Sequence, residues 1–371
     1  MKPKLKAFGA AVLGAALVAA LLPAASAQAA GGTGCVQLKG FTVCRTSPGG
    51  GTDTSIVSEV ARQIDKTGKG DTVRAAVYQW TLDRPVRPVA DAMVAAKKRG
   101  ADVKAVVGQL GGNPGLNNPV INLFKRNGIA VHQCRGGCLP NGSGSAKGPD
   151  HNRFFLIERD GNPTVAVTSF NFTRFHATQA HNLAAVHGDG ELYDFYTGYW
   201  NRLYDKSWGG WRDADKSASG NGTYAWVFPR SADPVASQLR QVTGCSSGDR
   251  VWVAHANFQS NRPAVRDQLG RVKRLGCDVK VVVLDKDTNN PGWIADATGR
   301  KNVRTHDSLR DKFFMIDAEF NGKHREMVYT GTHNLHGNAM KNADDNLLRI
   351  GNRAVVDVYS DYYQRLWREA G

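Results

Sequence analysis

The sequence predicts an α/β protein made of one unit repeated twice, with two mixed, largely parallel sheets flanked by helices. Three observations carry this. A long internal repeat runs through the chain, apolar strand runs alternate with amphipathic helical stretches inside each copy, and 371 residues accommodate two units at roughly 150 residues each. The clearest repeat is Lys97-Lys98-Arg99-Gly100-Ala101-Asp102-Val103-Lys104, which returns as Lys273-Arg274-Leu275-Gly276-Cys277-Asp278-Val279-Lys280. Each copy reads as a basic helix end, a glycine that closes the helix, and an apolar strand.

The first segment, residues 1–29, reads as a secretory signal peptide. Lys2, Lys4 and Lys6 precede an uncharged Ala/Val/Leu-rich run over 8–22, and Pro23 and small residues follow, with cleavage expected near Ala27 or Ala29. The apolar run is shorter than the roughly 20 residues a membrane span needs. Removing the three lysines takes the formal charge from +15 to +12, still strongly basic. Such a charge implies anionic partners, whether nucleic acid, an anionic membrane surface or a cell-wall polymer. At 41% hydrophobic and 22% charged residues, the composition excludes disordered and collagen-like chains.

Export implies an oxidising compartment, in which the six cysteines pair. Residues 30–51 form an N-terminal segment in which Cys35 and Cys44 pair by local spacing, as do Cys134 and Cys138 further on. Cys245 and Cys277 each precede an apolar run, and if these runs are neighbouring parallel strands the two cysteines lie within disulfide reach. The alternative for Cys134 and Cys138 is a zinc site with His132, which lacks a fourth ligand.

The first repeat, residues 52–207, opens with a helix over 55–66 and a strand over 72–78. The second, 224–371, has their counterparts at 234–243 and 250–255. Residues 108–150 are longer than their counterpart and carry Gly111-Gly112-Asn113-Pro114-Gly115 and the Cys134–Cys138 loop, a candidate substrate mouth. Downstream, Arg153-Phe154-Phe155-Leu156-Ile157-Glu158 matches Lys312-Phe313-Phe314-Met315-Ile316-Asp317. Thr168-Ser169-Phe170-Asn171 matches Gly331-Thr332-His333-Asn334, and His181-Asn182-Leu183 matches Asp345-Asn346-Leu347. Two amphipathic endings, 192–204 and 354–368, close the copies. The Gly/Ser/Asp/Trp-rich stretch 208–223 reads as the linker. Trp208, Trp211 and Trp293, in Gly-rich surroundings, are the tryptophans expected at the surface.

Strand alternation puts residues 151 and 153 on one side of their strand, and 310 and 312 on one side of theirs. Two such strands facing each other place four groups around one phosphate, which needs a nucleophile, positive charge and a proton for the leaving group. The stretch Arg310-Asp311-Lys312 to Asp317 with Gly331-Thr332-His333-Asn334 resembles the second signature of the phospholipase D superfamily, His-x-Lys-x4-Asp followed by Gly-Ser-x-Asn. His151-Asn152-Arg153, Glu158 and Thr168-Ser169-Phe170-Asn171 resemble the first. The resemblance implies a duplicated phospholipase D-like α/β/α sandwich whose pseudo-twofold halves build one active site at their interface.

It further implies catalytic roles for His151, as nucleophile, and Lys312. Phosphate binding would fall to Arg153, Arg310, Asn171, Asn334, Ser169 and Thr332, with support from Glu158, Asp317, His181 and Asp345, and with no metal or cofactor. The departures are specific. Arg310 stands at the second histidine and cannot act as nucleophile or general acid. Arg153 and Glu158 replace lysine and aspartate, and His181 stands where an acid is usual. An Arg310–Asp345 ion pair is expected to replace the histidine–carboxylate pair. The missing general acid would then be water, His333 or His306. The function expected is a secreted phosphodiesterase that hydrolyses or transfers phospholipid headgroups as a monomer. The alternatives are a secreted nuclease of the same superfamily and a degenerate protein that binds phosphate-bearing ligands.

Overall fold

The computed structural model describes Met1 and residues 34–47, 49–139, 148–207 and 211–371. The expected signal peptide and its cleavage sites, and Trp208, lie outside the described residues. The first half comprises β1 (Gly34–Leu38), β2 (Phe41–Thr46), α1 (Ser55–Asp65), β3 (Thr72–Val77), α2 (Arg87–Lys98), β4 (Asp102–Val107), α3 (Asn118–Arg126) and β5 (Ala130–Gln133). It continues with β6 (Arg153–Arg159), β7 (Asn162–Thr168), β8 (His181–His187) and α4 (Gly190–Asp205). The second half comprises β9 (Ser217–Ser219), β10 (Thr223–Val227), α5 (Pro234–Arg240), β11 (Val242–Gly244), β12 (Arg250–His255), α6 (Pro263–Arg274), β13 (Asp278–Leu284), α7 (Pro291–Thr298) and β14 (Val303–His306). It ends with β15 (Lys312–Phe320), β16 (Lys323–Gly331), α8 (Gly337–Lys341), β17 (Asn346–Ile350) and α9 (Arg353–Glu369).

The strands order as β1-β2-β8-β7-β6-β3-β4-β5 in one sheet and β14-β13-β12-β15-β16-β17-β10-β9 in the other, with β11 beside β15. Parallel pairing is confined to β3-β4-β5 and β12-β13-β14, the strands joined through helices. The other strand pairs are antiparallel; β6–β7 and β15–β16 are tight hairpins, while β7–β8 and β16–β17 are joined by longer segments that carry the pocket residues. The sheets are mixed, as expected, but more antiparallel than the strand–helix–strand reading suggested. The stretch 208–223 holds β9, which pairs with β10. The hairpin β1–β2 extends the first sheet through β8.

Both faces of each sheet are covered, so the strands read as continuous apolar runs. Phe154 and Leu156 of β6, and Phe313 and Met315 of β15, point into one central core with Tyr196, Tyr199 and Trp200 of α4 and Tyr359, Tyr362 and Tyr363 of α9. Their alternates Phe155 and Ile157 pack under α1–α3, while Phe314 and Ile316 pack under α5–α7. Thus α4 and α9 lie between two sheets that each carry an outer helix layer. Side chains of Asp189 and Asn352 accept from the backbone N–H groups of Leu192 and Val355 and cap these central helices.

The halves meet through paired contacts. Asn346 Nδ2 donates to Asn152 Oδ1 (3.0 Å), and the equivalent Asn182 Nδ2 donates to Asp311 Oδ1 (2.6 Å). Asp150 bridges to Asp344, and Leu309 to Ala180. Cys35–Cys44, Cys134–Cys138 and Cys245–Cys277 are disulfide-bonded. The last pair joins segments leading into β12 and β13, which run parallel from Arg250 opposite Asp278. With both sulfurs of Cys134 and Cys138 in a disulfide, no thiolate remains beside His132 for the alternative zinc site. Three disulfides fit an oxidising, extracellular environment. Among the described residues no helix is long and apolar enough to cross a membrane.

Candidate active site

His151 and Arg153 enter β6, and Arg310 and Lys312 enter β15, at the junction of the halves. The backbone N–H of His151 donates to the carbonyl of Asp344 (2.9 Å). The next residue of that segment, Asp345, takes the ring, with His151 Nδ1 lying 2.8 Å from Asp345 Oδ1. This arrangement corrects the expected Arg310–Asp345 pair. Each motif strand lies against the acid-position segment of the opposite half, so the acid retained by the second repeat serves the histidine of the first. By the same symmetry Arg310 N–H donates to Ala180 O (2.9 Å), which sets Arg310 beside His181.

With Nδ1 engaged by Asp345, Nε2 of His151 is the free ring nitrogen. Burial, then Arg153 and Lys312, hold the ring's affinity for a second proton well below the usual histidine range. Burial pushes the Asp345 carboxyl up, opposed by a Thr332 hydrogen bond and by Arg153 and Lys312. Burial also lowers Arg153, to about 10, where it remains charged. Lys312 falls to about 7, through burial first and Arg153 second, so its ammonium has a transferable proton near neutrality. Lys312 Nζ donates to the Arg310 carbonyl at 3.1 Å. Arg310 is half-buried, and its guanidinium lies 5.4 Å from the Phe175 ring centre.

Several expected phosphate ligands are already committed. Asn171 Oδ1 accepts from Arg153 Nε (2.5 Å), and its Nδ2 faces His176 Nε2 (2.9 Å), whose Nδ1 faces Thr173 Oγ1 (2.7 Å). With the amide oriented by Arg153, His176 accepts at Nε2 and donates at Nδ1, so Asn171 and His176 position Arg153. Ser169 and Thr332 are buried. Ser169 Oγ contacts His181 Nδ1 (3.0 Å), and Thr332 Oγ1 accepts from Asn346 N–H (3.0 Å). These hydroxyls support the residues behind the pocket. Asn334 is buried with Oδ1 unpartnered.

The supporting acids Glu158 and Asp317 do not reach the site. Each lies five residues along its strand from the pocket residue, about 16 Å at ordinary strand rise. Glu158 accepts from Thr72 Oγ1, while Asp317 pairs with Arg250 (3.0 Å) and contacts His324 (2.9 Å). Neither candidate general acid fits that role. His306 sits at the end of β14 beside Glu369, 3.6 Å away. His333 is buried, stacked on Phe228 with ring centres 3.7 Å apart, and its Nε2 faces the Arg262 guanidinium at 3.1 Å.

His333 Nδ1 lies 4.0 Å from Asp345 Oδ2, and Arg262 is held in turn by Asp233 (2.8 Å). A row of charged and ring groups therefore runs Asp233–Arg262–His333–Asp345–His151 behind the pocket, with the His333–Asp345 step beyond hydrogen-bond distance. Arg262, His176 and Tyr78, whose ring meets His151 edge-on at 5.2 Å, escaped sequence reasoning. The only signal for His176 was its place five residues after Asn171. Asp344 also ties the long insertion to the site, accepting from the backbone N–H groups of Cys138 (2.5 Å) and Leu139 (3.1 Å).

Fold and junction together place the chain among the duplicated phospholipase D-like proteins. The family is then specific: residues 60–204 and 243–367 match the model described as "Cardiolipin synthase, PLD-like domain", and the chain belongs to that family of the phospholipase D superfamily. No curated protein sequence matches significantly. Phosphatidylserine synthase from Haemophilus influenzae Rd KW20 superposes with a TM-score of 0.63 at 11% identity, covering 91% of this chain and 90% of that one. Polyphosphate kinase from Porphyromonas gingivalis gives 0.59 at 13%, covering 88% of this chain but 47% of the kinase, so the chain spans about half the kinase's length. Nuc from Salmonella typhimurium, a phospholipase D family member, gives 0.35 at 25%, covering 45% of this chain and 95% of that one. At such identities the first two establish a common fold.

Proposed function

We propose that the protein is a secreted phosphodiesterase that hydrolyses or transfers phospholipid headgroups through a phosphohistidine at His151. The observation that carries this reading is the 2.8 Å contact between His151 Nδ1 and Asp345, which leaves the Nε2 lone pair available in a ring that feels the charges of Arg153 and Lys312. In the first step Nε2 attacks phosphorus and the bond to the headgroup oxygen breaks. That oxygen takes a proton from the Lys312 ammonium, and the headgroup leaves as an alcohol. Asp345 stabilises the cationic ring of the intermediate. Water or a second alcohol then attacks phosphorus and gives its proton to the Lys312 amine. The phosphorus–nitrogen bond breaks and His151 returns to its neutral form.

Arg153 and Arg310 neutralise the non-bridging oxygens. The family's description as cardiolipin synthase and the lipid chemistry in the Haemophilus protein's name favour a lipid substrate, and the amino-terminal signal pattern favours export. The mature protein is expected to release choline from phosphatidylcholine vesicles and to carry an acid-labile phosphatidyl group on His151 when quenched. Release no greater than that of His151→Ala rejects the proposal. Arg310 at the second histidine position favours a second reading, a protein that binds phosphodiesters without turnover. Any His151-dependent release excludes it.

A further inference from the structure

Phe175 is the sole exposed large apolar side chain among the described residues apart from Met1, at 54% exposure. It stands at the rim of the candidate site. Its ring lies under the Arg310 guanidinium, 5.4 Å away, and edge-on to His176 at 5.3 Å. Arg174 beside it is exposed. Arg174 also lines a cavity of about 560 Å³ with Arg84, Thr52, Thr54 and Ser58. Asp83 joins the two loops, accepting from Thr81 Oγ1 (2.7 Å) and from the backbone N–H of Arg174 (3.4 Å). The rim thus combines one exposed apolar ring with three arginines and a cleft lined by hydroxyls and by Asp83, whose carboxylate is engaged by Thr81 and the Arg174 N–H.

We propose that Phe175 is the anchor by which the mouth of the site docks on an anionic lipid surface, with Arg84 and Arg174 taking a neighbouring headgroup phosphate in their cleft. This deepens the lipid reading above and rests on it. A single-stranded nucleic acid asks for successive aromatic platforms along a basic groove, and the described tryptophans do not supply them. Trp80, Trp200, Trp226 and Trp252 are buried. Trp211, Trp293 and Trp367 are half-covered, beneath Arg202, Arg266 and Arg304 at 4.7, 4.7 and 4.4 Å. One isolated apolar ring among cations suits a bilayer interface, where the ring enters the acyl boundary and arginines meet anionic headgroups.

The test uses the mature chain with vesicles of phosphatidylcholine, alone and mixed with phosphatidylglycerol, and reads sedimentation with the vesicles. Phe175→Ala is expected to lower partition onto the mixed vesicles by about tenfold, in line with the loss of one buried aromatic side chain. Phe175→Trp is expected to restore it, and Arg84→Glu/Arg174→Glu to abolish the preference for the anionic lipid. Phe175→Ala should lower turnover of the mixed vesicles several-fold more than turnover of a monodisperse short-chain lipid. Unchanged partition, or short-chain turnover that falls in parallel, overturns the proposal. So does a Phe175-dependent affinity for a single-stranded oligonucleotide in place of vesicles. His151→Ala separates the two readings. If no form turns over lipid while His151→Ala and the unmodified chain still bind vesicles through Phe175, catalysis is rejected and docking stands.

Discussion

If Lys312 delivers the leaving-group proton, activity should fall as pH rises through its ionisation. In the free protein its ammonium is lowered to about 7 from an ordinary value of 10.5. The competent form is the charged one, so kcat/KM should lose about tenfold per pH unit above 7, leaving roughly 1% at pH 9. A bound phosphodiester anion about 4 Å from Nζ contributes around 4 kcal/mol at an effective dielectric near 20, roughly three pH units. Open solvent at the mouth reduces that, so the limb for kcat should lie one to three units above the limb for kcat/KM. The acidic limb should stay below the ordinary histidine range, because burial and cations keep the His151 ring neutral. Lys312→Arg keeps positive charge but holds its proton too tightly to donate, and should lose about 10²–10⁴ in kcat while KM changes little. Headgroup release followed by stopped assays from pH 5 to 9 checks both. A flat kcat/KM from pH 6 to 9, or wild-type kcat in Lys312→Arg, refutes the reasoning and leaves lysine as a phosphate ligand only.

Asp345→Asn should lower kcat by roughly 10²–10⁴ without unfolding the chain, because the ring loses both its orientation and its counter-charge; circular dichroism with steady-state kinetics reads the two apart. Arg262→Ala should lower stability by about 1–3 kcal/mol, since it leaves Asp233 and His333 without their partner, and a denaturant melt measures it. Asn182→Ala should cost about 3 kcal/mol, since Asn182 donates to Asp311 and accepts from Thr330 and Tyr359 across the junction; a thermal melt with no shift sinks this. Arg310→His alone should gain little, because the new ring would face His181. Arg310→His combined with His181→Asp should rise above either single change by about 10²-fold, the value of a positioned general acid, and additive singles reject the coupling.

The duplicated architecture was legible because its strands are covered on both faces and its copies keep their order. His151, Arg153 and Lys312 were legible because strand alternation brings i and i+2 to one side. The partner of His151 was not, since an internal repeat shows that His181 and Asp345 are equivalent but carries no information on which half each faces. That follows only from the Asp150–Asp344 and Leu309–Ala180 bridges. Glu158 and Asp317 were assigned to the site from motif membership, although strand rise alone carries them to the far end. Phe228 and Arg262 lie 105 and 71 residues from His333 in sequence, and nothing local announces that they meet.

The two departures in the second half-site make sense as one change. An acid at position 181 would face Arg310 and form an ion pair, and the arginine's charge would be spent inside the protein. His181 avoids that. Burial, then His176, Lys312, Arg153 and Arg310, hold it well below the ordinary histidine range, so it stays neutral. The direction of the effect is mutual: a neutral ring beside Arg310 neither neutralises it nor repels it. Arg310 therefore keeps its charge, which in the proposed reaction meets the incoming phosphate, while Asp345 in the first half-site balances a ring that becomes cationic. Pseudo-symmetry supplies two equivalent places for a histidine–acid pair. Under the proposed mechanism one of these places serves as the nucleophile and the other as an anion-binding arm, and proton donation falls to Lys312.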